Sequence, residues 1–205
     1  MAPVSPRPLM RFDDRQWAGL LLFAGTAQFA IFLTVAEAVY PNYSVSARYI
    51  SDLGVGTAAA PIFNASIILL GLAVLATAWF VFRAFKDRIL TIAVVLAGIG
   101  AIGVGVFTED FGGIHSIVSL ITFVFAALSA ILAFRILRPP LSYLSILLGA
   151  ASLVALGLYV SNTYLGLGPG GMERMIVWPV LVWALAFGGY LLSHSPKPGE
   201  SASST

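Results

Sequence analysis

The sequence predicts an all-α protein, a six-helix transmembrane bundle with both termini cytoplasmic and a short interfacial helix in the first outer loop. Three observations predict it. Of 205 residues, 59% are hydrophobic and 10% charged, against about 25% charged in an ordinary soluble domain, and the mean hydropathy is +0.95. Six uncharged apolar runs each approach or exceed the roughly 20 residues that cross a bilayer as a helix. The Lys and Arg residues cluster at alternate junctions between these runs, as the positive-inside rule requires of a polytopic chain.

Residues 1–15 form a polar lead carrying Arg7, Arg11 and Arg15, and residues 16–36 form the first span. A secretory signal cleaved near Ala36-Glu37-Ala38 is the rival reading, but the apolar stretch is longer than a signal's core of about 7–15 residues. The remaining spans are residues 61–82, 89–108, 111–134, 141–159 and 175–192. Residues 193–205, SHSPKPGESASST, are rich in Ser and Pro and read as a disordered cytoplasmic tail. Nine of the eleven basic residues fall on the side of the termini, and only Arg48 and Arg174 fall opposite. That bias places the termini in the cytoplasm and the protein in the cell membrane. Tight connections at residues 83–88 and 135–140 make consecutive helices antiparallel neighbours.

The third span carries Ala93, Ala97, Ala101 and Gly105 at four-residue spacing. Such a stripe lets another backbone approach closely, either within the bundle or in a homo-oligomer. The absence of cysteine removes disulfides and thiolate chemistry. No basic patch with interleaved aromatics points to nucleic acid, so the expected partners are membrane lipids.

The polar chemistry gathers on the outer side. Residues 37–60 are expected to carry a short helix near Val45 to Leu53, setting Arg48 and Asp52 four residues apart on one face. Glu109 and Asp110 occupy the tight turn before Gly112 and Gly113, where a carboxylate also suits the next helix start. His115 lies about one turn into a span, a costly place for an ionisable group unless it has a partner or meets water. Glu173 and Arg174 follow a Gly-Pro-Gly-Gly run that reads as turn material. Within the spans the polar residues are few: Gln28, Thr34, Asn64 and scattered Ser or Thr. Arg48, Asp52, Glu109, Asp110, His115, Glu173 and Arg174 are therefore the candidate ligand-binding residues of one outer mouth.

At YPNYSVSARYISDLGVG, PIFNASIILLG and GVGVFTEDFGGIHSIVSLITF the chain resembles the membrane family known as domain of unknown function 998, found in bacteria and archaea. That family looks distantly similar to the Frag1/DRAM/Sfk1 group, some of whose members are linked to lipid handling. The resemblance covers nearly all six spans and implies that Ser51, Asp52, Gly54, Glu109, Asp110 and His115 are positions of interest. It implies no reaction and no cofactor, and Thr108 stands where the pattern has proline.

Three functions compete at this stage. An outer pocket could bind a lipid headgroup or a small polar ligand, with Arg48, Arg174 and His115 at its anionic part and the acids ordering them or meeting a cationic part. An intramembrane lipid-directed hydrolase would use His115 as base, or with Asp52, Glu109 and Asp110 as metal ligands. A single histidine on that side is poor provision for zinc, and no metal site is assigned. A transporter of ions or small molecules would need polar or broken helices at mid-depth, where only Gln28 and the glycines of the third span stand. No hydrolase, metalloprotease or nucleotide-binding signature is present.

Overall fold

The computed structural model of the chain describes residues 12–193. Among them six helices are long and apolar enough to cross a membrane: α1 (Asp14–Val39), α2 (Ala59–Phe85), α3 (Arg88–Val106), α4 (Gly113–Leu132), α5 (Leu141–Val160) and α6 (Gly168–Leu192). Most of the polar lead and all but Ser193 of the Ser/Pro-rich tail lie outside the described residues.

Local chemistry explains where the helices begin and end. Asp13 caps α1 through a reciprocal pair, Gln16 N donating to Asp13 Oδ1 at 2.8 Å and Asp13 N to Gln16 Oε1 at 3.0 Å. Lys86 stops α2 in the left-handed region at φ 55°. Asp87 starts α3 at once by accepting from the amides of Ile89 and Leu90, each at 3.1 Å. The α2–α3 link is therefore two residues long.

Each helix packs on its neighbours in the chain, and α6 closes the ring against α1. Because α6 also touches α4, helix α5 lies on the flank of the other five. Small residues make the closest approaches, as membrane helices require when no water drives them together. A Cβ on Gly19 would meet Gly188 O at 2.6 Å and Leu192 N at 2.7 Å, so α1 and α6 touch nearly backbone to backbone. The α3 stripe of Ala93, Ala97, Ala101 and Gly105 is buried within the chain. It serves packing inside the bundle and is not a free surface for a second copy. Around the outside, Ile31, Trp79, Ile117, Leu147 and Val154 are exposed large apolar side chains, the reverse of a soluble surface and suited to lipid.

Two expectations change. The helix expected near Val45 to Leu53 does not form; the segment is a series of turns followed by a short 3-10 turn, Ser51–Gly54. Its backbone groups are taken by side chains and backbone from elsewhere, above all from α6, which removes the local hydrogen bonds a helix would use. The sixth helix begins at Gly168, seven residues before the expected start at 175, so the Gly-Pro-Gly-Gly run is helical. Pro169 fits because the first turn of a helix has no use for its missing N–H.

Candidate functional site

Two clusters of charged side chains lie at the end of the bundle that carries the long loop, residues 40–58. The first is centred on Arg174, whose side chain is 8% exposed. Nη2 donates to Glu37 Oε1 at 2.5 Å and to Tyr43 Oη at 2.6 Å. Nη1 donates to the carbonyls of Gly170 at 2.9 Å, Val45 at 3.2 Å and Arg48 at 3.3 Å. Burial, set against the favourable contact with Arg174, pushes the Tyr43 phenol up to about 12. Beside it, Gly170 N donates to Ser46 O at 3.0 Å. Only a glycine fits there, because a Cβ on Gly170 would collide with the Arg48 carbonyl oxygen. This cluster seats the long loop on α6 and engages both terminal nitrogens of Arg174.

The second cluster is acidic. Its parts come from the Ser51–Gly54 turn, from a 3-10 turn at Glu109–Phe111, and from α6. The Asp52 carboxylate accepts from Tyr49 N at 3.0 Å and lies 4.0 Å from the Arg48 guanidinium. Glu109 lies close to the Asp52 carboxyl and the Ser51 side chain. Burial first, then the adjoining Asp52 carboxyl, pushes Glu109 up to about 7. Glu173 is 5% exposed and accepts from Ile50 N at 2.5 Å.

Two of these acids, Glu109 and Glu173, line a cavity of about 490 Å³ together with Tyr49, Ser51, His115, Ser119 and Tyr159 and the apolar Leu120, Phe123 and Leu156. Among the described residues no Lys or Arg lines it. Tyr49 and Tyr159 meet edge to face with centroids 5.9 Å apart, and Tyr164 packs on Tyr159 at 6.4 Å. Burial raises the Tyr49 phenol.

His115 reaches no carboxylate. Its Nδ1 is 2.7 Å from Phe107 O, a carbonyl that can only accept, so Nδ1 carries the proton. Nε2 then faces Ser119 Oγ at 3.2 Å and, in the neutral ring, accepts from it. Asp110 turns to Thr108, whose hydroxyl donates to Oδ1 at 2.7 Å, so Thr108 closes the turn in which it stands. The structure thus brings Glu109, Glu173 and His115 to one cavity, sets Asp52 beside Glu109, diverts Arg174 into the loop anchor, and leaves Arg48 half exposed. Among the described residues no group of three His, Asp or Glu is arranged to hold a metal ion.

Sequence reasoning missed Tyr49, Ser119 and Tyr159 as cavity residues. Ser119 had a signal, its i,i+4 spacing from His115 on a helix.

Between residues 23 and 190 the chain matches the family described as a protein of unknown function, DUF998. It belongs to the DUF998 family. No curated protein and no solved structure matches it. For this DUF998 protein the match covers all of α2 to α5 and most of α1 and α6, so both charged clusters lie inside the family region.

Proposed function

We propose that this DUF998 protein binds the polar head of a membrane amphiphile, or a small polar ligand, in the cavity at its long-loop end, and that the head is cationic. The single observation that carries this reading is the composition of the cavity wall: Glu109 and Glu173 beside Tyr49 and Tyr159, without a basic side chain. Carboxylates with aromatic faces suit an ammonium or quaternary ammonium group. An anionic phosphate would need free Arg or Lys, and both terminal nitrogens of Arg174 are already engaged. The positive-inside bias puts this cavity on the extracytoplasmic side of the cell membrane.

Protonation gates the site in this reading. Glu109 shares its surroundings with Asp52 on one turn, Asp110 on its own turn, Glu173 on α6, His115 on α4 and the phenols of Tyr49 and Tyr159. With Glu109 up at about 7, a bound cation favours its charged form. Native mass spectrometry in nanodiscs containing equal amounts of choline-headed and glycerol-headed phospholipids tests the reading. The wild type should retain the choline lipid preferentially, and Glu109→Gln should lose about tenfold in that preference. Equal or stronger retention of the glycerol-headed lipid by the wild type overturns it.

A second reading draws on the Ser119–His115 contact. A serine hydroxyl donating to a histidine whose other nitrogen is oriented by a carbonyl has the layout of an acyl-transfer nucleophile and its base. The carboxylates are not His115's partners here, so a hydrolase would run through Ser119. Labelling of the wild type by a fluorophosphonate probe, abolished in Ser119→Ala, supports it; equal labelling of both excludes it.

A further inference from the structure

The acid-lined cavity exists because α4 and α5 part company. Ser116, Leu120, Phe123, Ala127 and Ala130 follow one another at spacings of four and three residues, so they form one stripe along α4. Ser145, Gly149, Leu156 and Val160, four or seven residues apart, form the facing stripe of α5. Away from the long loop the two stripes touch: a Cβ on Gly149 would meet Ala127 O at 2.6 Å, and Ser145 Oγ donates to Ala130 O. Toward the long loop the same stripes stand apart, and Ser116, Leu120 and Phe123 on one side and Leu156 and Val160 on the other line the cavity. There α5 leans on α6 instead, with Ser152 Oγ donating to Ile176 O at 2.7 Å. Phe123 and Val124, packed against Ala155 and Leu156, form the bottom of the gap.

Two other borders of the cavity are bridged by contact. Tyr49 of the long loop meets Tyr159 of α5, and Glu109 lies close to Ser51 and Asp52. The lips of the α4–α5 gap are different: Leu120 is 49% and Val160 67% exposed on the outside of the bundle, beside the exposed Ile117. Along α4 the cavity runs from Gly112 to Phe123, eleven residues or about 16 Å at 1.5 Å per residue. That length reaches from the headgroup layer into the hydrocarbon. Acyl chains filling the gap would press Glu109, Glu173 and His115 against hydrocarbon, which costs free energy. A polar head with its chains trailing outward satisfies both surfaces.

We infer that the cavity is entered sideways, through the gap between α4 and α5, by a membrane lipid that places its head beside Glu109, Glu173, Tyr49 and Tyr159 and leaves its acyl chains in the bilayer against Leu120 and Val160. The charge of the head rests on the reading above, whereas the sideways entry rests on the splay of the two helices. A water-soluble ligand has no use for apolar lips, so the lipid is the occupant that fits.

The test uses the full chain in nanodiscs with a choline-headed phospholipid whose acyl chains carry a diazirine close to the glycerol. After irradiation, peptide mass spectrometry should find the label on Leu120, Val160 and their neighbours about fivefold or more above Phe32, an exposed α1 residue equally far from the long-loop end of its helix. Leu120→Trp and, independently, Val160→Trp crowd the gap and should each cut retention of the lipid about fivefold in native mass spectrometry. Both side chains are exposed, so either variant should fold. Ile117→Trp, on α4 but outside the cavity, should leave retention unchanged. Label spread evenly around the bundle, retention unchanged in both gap variants, or displacement of the label by water-soluble phosphocholine at the same total concentration overturns the sideways entry. Failure of the head reading looks different: the label would still collect on the gap, but equally from a glycerol-headed analogue and undiminished in Glu109→Gln.

Discussion

The two charged clusters at the long-loop end are built from the same kinds of residue and end in opposite states. Around Arg174, a buried cation is met by a carboxylate, a phenol and three carbonyls, so its charge and both its terminal nitrogens are met inside the chain. Around Glu109, two carboxyls share one small space with a third acid nearby, and the basic residue closest to them, Arg48, is half exposed and only 4.0 Å from Asp52 at best. The difference separates a satisfied structural joint from an acid-rich cavity whose described wall carries no basic side chain. On the proposed reading, that cavity is the one a cation from outside would complete.

The largest effect on folding comes from the balanced cluster. Arg174→Ala strands the Glu37 carboxylate and the loop carbonyls of Val45 and Arg48, and should destabilise the protein by about 3–5 kcal/mol, read as a fall in the detergent melting temperature. Gly170→Ala attacks the same joint sterically and should cost about 1–3 kcal/mol by the same measurement, since the colliding Arg48 carbonyl is backbone. A tolerated Arg174→Ala would break the comparison outright.

The acidic cluster should answer to pH. Glu109 holds its proton up to about 7 in the folded chain, whereas an unfolded glutamate releases it in the ordinary carboxylate range. The folded state therefore binds more protons between those limits. The contribution is fully present below the ordinary carboxylate range and is lost as pH rises through about 7. Glu109→Gln should flatten that slope in a melting series and leave Arg174's contribution untouched; an unchanged slope would remove Glu109 as its source.

His115→Ala should cost about 1 kcal/mol through the lost bond to Phe107 O, again by melting. The smallest effect belongs to Arg48→Ala. Its pair with Asp52 is long and half exposed, so stability should change by no more than about 0.5 kcal/mol.

Much of the architecture was legible residue by residue. The expected start of α3 at 89 and of α5 at 141 differ from the observed starts by at most one residue, because hydropathy and the caps that end a helix are local properties. The start of α6 was not legible. Gly168, Pro169, Gly170 and Gly171 look like a turn when read alone, and their helical state makes sense only once the long loop is seen lying on Gly170. The 45–53 segment fails for the complementary reason, since its helix-forming pattern is overridden by Glu173 and Arg174, more than a hundred residues away. Of the expected site residues, Asp52, Glu109 and Glu173 converge, whereas Arg174 and Asp110 find other partners.

By itself, then, the sequence determined six apolar helices, their antiparallel order and the end of the bundle at which the ionisable groups collect. Each follows from how a short stretch of chain partitions between hydrocarbon and water. Only the tertiary structure decided which of those groups neutralise one another, and that Glu109 and Glu173 come to one cavity with Tyr49 and Tyr159. Those outcomes depend on the register of one helix against another, and register is set by close backbone approaches such as Gly19 on Gly188, a property of pairs of segments that neither segment carries alone.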